Sequence, residues 1–301
     1  VTPATTALLG VDFTSAPRKR KPITVAHGHL VGEAVLQLDG FEHLPDWAGF
    51  EALLARPGPW LGGFDFPFGL PREAVSDLGW PASWPALLTH CQALGKAAFR
   101  QALDRYRESR PAGRRYAHRA TDTAALSHSP LKLVNPPVGL MFLEGAPRLL
   151  AAGLSVPGLQ PGDPRRIALE AYPGLLARSI SRASYKSDDP RKHSAEREAT
   201  RRLIIDALAS GSHPLRLQVQ GRDALLGQLL ADPSGDLLDA VLALTEAAAS
   251  LLAGPPAFGL PSETDPVEGW IACAPLPSTA TATAPAPWRM PPSSSLTARY
   301  D

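Results

Sequence analysis

TALLGVDFTSAPRKRKPITVAHGHLVGEAVLQLD (residues 6–39) decides the fold class. Residues 6–13 read as a buried strand, and 22–28 and 32–39 as two more, with only short turn-like joins between them. Three consecutive strands without crossover helices cannot all be parallel, because a parallel pair needs a connection of a dozen or more residues. A doubly wound dinucleotide domain is therefore disfavoured, and a three-stranded meander is predicted. No GxGxxG or GxxxxGK[ST] opens any helix, so the phosphate-binding loops of dinucleotide and Walker-type sites are also missing.

Outward from the meander, DWAGFEALLARPG (46–58) predicts a helix capped by Asp46, with Trp47, Phe50, Leu53 and Leu54 at helical spacing and a stop at Pro57-Gly58. WLGGFDF (60–66) predicts a strand cut off by Pro67. Proline cannot donate to a sheet ladder, so Pro67 and Pro71 should turn the chain out just after Asp65 and leave that carboxylate at the strand's tip. A helix is expected over about 83–110, and a loop or short helical hairpin over 111–137. VGLMFLEGAPRLLAAG (138–153) supplies a helix or strand, and RRIALEAYP (165–173) a strand holding Glu170. Three further helices are predicted in 194–211, 221–232 and 235–254, then a last short strand in EGWIACAP (268–275). This order argues for a mixed α/β sheet covered by helices. The expected organisation is one domain over 1–275, with a helical insertion at about 80–137, and a Pro/Ala/Ser/Thr-rich C-terminal tail over 276–301.

With 44% hydrophobic residues in 301, the chain can bury a substantial core. Its 30 Lys and Arg against 29 Asp and Glu exclude a strongly basic molecule, so nucleic-acid binding would need a local stripe. Two cysteines, Cys91 and Cys273, offer neither a disulfide framework nor a cysteine-rich zinc site. There is no secretory signal pattern, and no uninterrupted apolar stretch approaches membrane-spanning length. A cytoplasmic protein without a membrane partner is the expectation.

Acids recur at strand ends: Asp12 in ALLGVDFTSAP, Asp65 in WLGGFDFPFGLP and Glu170 in RIALEAYPG. Asp236 and Asp239 in GDLLDAVLAL stand at i and i+3 on a helix and can look toward one side. Asp239 precedes a small-residue face, Ala240, Ala243 and Ala247, suited to close packing on a sheet; Asp236 is either a ligand or an N-terminal cap. Carboxylates that meet in space repel one another unless a cation or shared protons compensate. With no cysteine or strong histidine set nearby, hard cations, Mg²⁺ or Mn²⁺, suit Asp12, Asp65, Glu170, Asp236 and Asp239 better than zinc.

GVDFTSAP, FDFPFGLP, LEAYP, the pair Tyr185-Lys186, and DLLDAVLAL followed by EGWIACAP together resemble the DUF429 family of predicted ribonuclease-H-like nucleases, from about residue 6 to 275. The resemblance implies a ribonuclease-H-like fold, with a five-stranded sheet whose first three strands are antiparallel. It also implies catalytic roles for Asp12, Asp65, Glu170 and Asp239.

Two basic stretches could serve a phosphate backbone. One runs from Lys96 through Arg100, Arg105, Arg107, Arg110, Arg114 and Arg115 to Arg119; the other holds Arg178, Arg182, Lys186, Arg191, Lys192 and Arg197. Tyr106, Tyr116 and Tyr185 could stack on bases, although solvated helix faces account for such charge equally well. HRATD, with His118, Arg119 and Asp122, reads either as an ordinary loop or as a segment that reaches the site. His118 and His193 have the chemistry for acid or base work, but nothing in the sequence positions them. The leading expectation is a metal-dependent nuclease, with Asp12 bridging cations, Asp65 and Asp239 each holding one side, Glu170 ligating or orienting the water, and Lys186 or Arg119 neutralising the phosphate. The alternatives are an actin-like phosphotransferase using Asp12-Phe13-Thr14-Ser15 as its single phosphate loop, and a non-catalytic nucleic-acid-binding module.

Overall fold

β1 (Ala7–Asp12), β2 (Ile23–Val31) and β3 (Val35–Leu44) pair successively in antiparallel fashion, as the opening residues predict. The computed structural model describes residues 6–277, so nearly all of the expected tail over 276–301 lies outside the described residues. Asp46 caps α1 (Trp47–Leu54) by accepting from the Gly49 amide at 2.9 Å. The turn of helix that follows buries Phe50, Leu53 and Leu54, each stabilising the fold by about 1.5–3 kcal/mol.

β4 (Trp60–Asp65) pairs parallel with β1, and β6 (Asp163–Glu170) pairs parallel with β4. The two-residue β5 (Leu154–Ser155) and three-residue β7 (Gln218–Gln220) add parallel edges, giving a seven-stranded mixed sheet in the order β5-β6-β4-β1-β2-β3-β7. Both edge strands are too short to carry an alternating pattern, which is why neither is expected from the sequence. EGWIACAP makes a single bridge, Ile271 to Glu170, instead of a strand. Gly269 and Cys273, with φ of 69° and 62°, bend the backbone out of the extended region on either side.

Helices cover both faces. One side carries α1, α2 (Arg72–Asp77), α3 (Trp84–Glu108) and α5 (Val138–Ala151) on a core that includes Leu9, Val11, Phe64 and Ala168. Gly95 leaves helical geometry inside α3 and divides it into two segments. The predicted hairpin region over 111–137 holds a 3-10 turn at Ala112–Arg114 and the short α4 (Ala120–Ala125). The opposite face carries α6 (Pro173–Ile180), α7 (Ala195–Ser210), α8 (Asp223–Ala231) and α9 (Asp236–Ala253), on a core that includes Leu8, Leu61 and Leu169. Among the described residues, no helix is long and apolar enough to cross a membrane.

α9 lies directly on the sheet backbone. A Cβ added to Gly10 would stand 2.0 Å from the Ala240 carbonyl oxygen, and one on Gly63 would stand 2.6 Å from that of Ala243. The alanine face of α9 therefore meets two glycines of adjacent parallel strands. That close approach sets where the first turn of α9, and with it Asp239, comes to rest.

Candidate metal centre

Asp12 and Asp65 are register partners at the carboxyl ends of β1 and β4, so their side chains leave the same face of the sheet. Each is followed by a phenylalanine that the two-residue alternation sends to the other face. There the Phe13 and Phe66 rings pack with centroids 4.4 Å apart and anchor both strand ends. The Phe66 amide turns back to the Phe64 carbonyl at 2.9 Å, and Pro67 then leads the chain away from the sheet. From above, Asp239 in the first turn of α9 completes the group. One carboxylate oxygen from each of Asp12, Asp65 and Asp239 lies within 4.8 Å of the others, so these three residues could hold a metal ion.

The electrostatics are those of a site short of positive charge. Asp239 is fully buried and Asp12 and Asp65 partly so. Neither the Asp12 nor the Asp65 carboxylate accepts a hydrogen bond from a described residue. Burial, together with the Asp239 and Asp236 carboxylates, pushes Asp12 well above the usual carboxylate range. Burial and Asp239 push Asp65 up to about 7. The donor set is oxygen alone, with open lone pairs, which matches the preference of hard divalent cations.

Asp239 has partners that the other two lack. The Tyr185 hydroxyl donates to its Oδ1 at 2.5 Å, and the Lys186 ammonium binds its Oδ2. Burial works against a charge on Lys186, but Asp239, Tyr185 and Asp12 hold its pKa well above the ordinary lysine value. Arg201 fixes this motif by donating to the Tyr185 carbonyl at 2.8 Å. The segment runs so close to the start of α9 that a Cβ on Gly235 would meet the Lys186 Cβ at 2.7 Å. With φ at 78°, Gly235 is also in the left-handed region that favours glycine.

Asp236 is neither cap nor one of the three clustered acids. Gly235 occupies the cap position, Asp232 accepts from the Leu237 amide at 3.0 Å, and both Asp236 oxygens are bound by Lys21 at 2.8 and 3.0 Å. Lys21 also reaches Asp188 at 2.8 Å. It lies in the Arg-Lys-Arg-Lys run between β1 and β2, where composition gives no hint of which lysine turns inward.

Glu170 is placed differently from the sequence expectation. Its register partner on β4 is Phe64, one residue short of Asp65, so its side chain leaves the sheet on the opposite face. There Arg119 grips it through two bonds, 2.7 Å from Nη1 to Oε2 and 2.6 Å from Nη2 to Oε1. The Phe68 amide adds a third at 2.8 Å. Arg119 is only 2% exposed and also serves Asp122 and the Glu268 carbonyl, which leaves it no capacity for a phosphate. Glu268 in turn accepts from the Arg72 and Ala120 amides. These groups clamp α4 and the 265–274 segment to the loop after Asp65.

Tyr106 and Tyr185 are buried and give their hydroxyls to Asp77 and Asp239, so neither is presented for base stacking. Tyr116 is exposed but lies under Arg107. Sequence reasoning passed over Glu246, which is fully buried on α9 two turns beyond Asp239. Its Oε2 accepts from the Tyr172 amide at 2.8 Å, its Oε1 has no partner, and burial above all raises its pKa to about 8. Its only available signal was a glutamate at the i+7 position from Asp239 on the sheet-facing side of an otherwise apolar helix. A cavity of about 680 Å³ opens over Asp12 and Asp65 and is walled by parts of the 127–141 and 181–188 segments.

Compared with known proteins, the chain matches no family model, no curated protein and no solved structure. Any functional reading therefore rests on the site itself.

Proposed function

We propose that this protein is a metal-dependent phosphodiesterase of the ribonuclease-H-like kind, using Mg²⁺ or Mn²⁺ held by Asp12, Asp65 and Asp239. The observation that carries the reading is the convergence of these three carboxylates, two of them, Asp12 and Asp65, without hydrogen-bond donors and facing a cavity, with Asp239 buried behind them. An oxygen-only donor set favours hard cations over zinc or copper.

When bound, such cations supply positive charge for a phosphoryl oxygen and lower the pKa of a water. The chain's own groups do the rest. The Tyr185 hydroxyl holds one oxygen of Asp239 and fixes the plane of its carboxylate. Lys186, with 44% of its side chain exposed, brings an ammonium to the cavity where a phosphate would arrive. Glu170 and Arg119 act as a positioning pair: by holding the Phe68 amide they fix the loop that carries the chain away from Asp65.

The test is hydrolysis of bis(4-nitrophenyl) phosphate by purified protein with Mg²⁺, Mn²⁺ or chelator. Metal-dependent turnover that disappears with chelator and in Asp12→Asn is expected. Absence of turnover with either ion, or full activity in Asp12→Asn, sinks the reading.

A further inference from the structure

Which cations around the cavity are free decides what the site can take. Lys21, Arg119, Arg178, Arg182 and Lys186 all line it. Lys21 is held by Asp188 and Asp236, and Arg119 by Asp122 and Glu170. Arg178 donates to the Tyr172 hydroxyl at 2.9 Å and the Ala125 carbonyl at 2.7 Å. Lys186 is bound to Asp239 but half exposed. Arg182 alone is exposed with no hydrogen-bond or ion-pair partner among the described residues. The long basic stretch over 96–115 contributes nothing to the lining.

A protein that tracks a nucleic-acid strand needs roughly one Lys or Arg for each phosphate it neutralises. Here Arg182 supplies charge for one phosphate, and the Lys186 ammonium, bound to Asp239 at the cavity wall, for at most a second. The volume, about 680 Å³, falls in the range of about 300–1,000 Å³ typical of sites for a single small ligand. Pro136 and Pro137, with Val138 and Met141 of α5, add to the wall an apolar surface suited to the face of a base.

Building on the phosphodiesterase reading, we infer that the substrate is a short single-stranded phosphodiester of one or two nucleotides' size, not a duplex or a long tracked strand. The volume over Asp12 and Asp65 is that of a single small ligand, and the cationic groups at its wall match one scissile phosphate with a neighbour.

The experiment compares, with Mn²⁺, a dinucleotide, a single-stranded 20-mer and the same 20-mer as a duplex. The dinucleotide should be cleaved with kcat/KM within about tenfold of the single strand, and the duplex at least a hundredfold more slowly. The salt slope of log kcat/KM on the single strand should be shallow, about −0.7 for each phosphate held and so no steeper than about −1.4. Arg182→Ala should raise KM for the dinucleotide about tenfold with kcat and Tm unchanged. A duplex cleaved as fast as the single strand, a 20-mer cleaved while the dinucleotide is not, or a slope beyond about −3 overturns the inference. If nothing is cleaved, calorimetric titration with a phosphorothioate dinucleotide separates the two ideas. Binding that Arg182→Ala weakens tenfold keeps the substrate class and removes only the hydrolysis; no binding removes both.

Discussion

Two acidic groups flank the end of β4 and have been treated in opposite ways by the fold. On one face Glu170, Asp122 and Glu268 are saturated by Arg119 and by backbone amides. On the other, Asp12 and Asp65 have no donor, and Asp239 has only Tyr185 and Lys186. The first arrangement costs desolvation but gives every carboxylate hydrogen-bond donors, as a structural network must. The second leaves repulsion in place, an arrangement that clusters at functional sites. Neighbouring carboxylates thus stand in opposite surroundings, and their hydrogen-bond partners tell them apart.

The sharpest way to break this contrast is to remove charge from each side. Arg119→Ala strands Glu170 and Asp122 as buried acids, and unfolding by denaturant should show a loss of about 3–5 kcal/mol. Asp12→Asn should do the reverse to stability, leaving Tm equal or higher because one repelling charge is gone. Its metal-dependent hydrolysis should fall at least about a hundredfold, since even residues that only orient a metal ligand cost 10–100-fold. A drop in Tm for Asp12→Asn comparable to that of Arg119→Ala would erase the distinction.

Lys186 sharpens it further. Its ammonium neutralises Asp239 and lies near Asp12, so it is the internal counter-ion of the three-carboxylate cluster. In Lys186→Met, Mn²⁺ should bind about tenfold more tightly by calorimetry, because the cation no longer competes with a bound ammonium. Weaker or unchanged Mn²⁺ binding would show that Lys186 is not such a counter-ion.

The smallest effect concerns Glu246. Its folded-state pKa of about 8 exceeds the carboxylate's unfolded value of 4.5, so the folded chain keeps a proton that the unfolded chain releases. The stability from that bound proton is therefore complete at low pH and is lost as pH rises from about 4.5 toward 8, at no more than about 1.4 kcal/mol per pH unit. Glu246→Gln lacks this slope, so denaturation of both proteins in chelator should show the variant gaining on the wild type between pH 5 and 8. Parallel pH profiles would mean that Glu246 is already ionised.

Local chemistry made much of this legible. Asp46 as a cap, the turn at Pro67, the meander and the alanine face of α9 each depend on a few neighbouring residues, and the structure agrees with each reading. Reasoning failed where one residue of register mattered. A strand reading places Glu170 at a tip, but only its pairing with Phe64 reveals that it points away from Asp65. Lys21 and Glu246 were passed over because their partners lie far along the chain, at Asp236 and Tyr172.

By itself the sequence determined the α/β class, the antiparallel start, and the presence of carboxylates at the ends of β1 and β4 and the start of α9, because strand and helix periods, caps and prolines act over a few residues. Only the tertiary structure decided which acids share a face, which are neutralised and which cations remain free. Those properties depend on strand register and on contacts between residues more than fifty positions apart, such as Arg119 with Glu170 and Lys186 with Asp239.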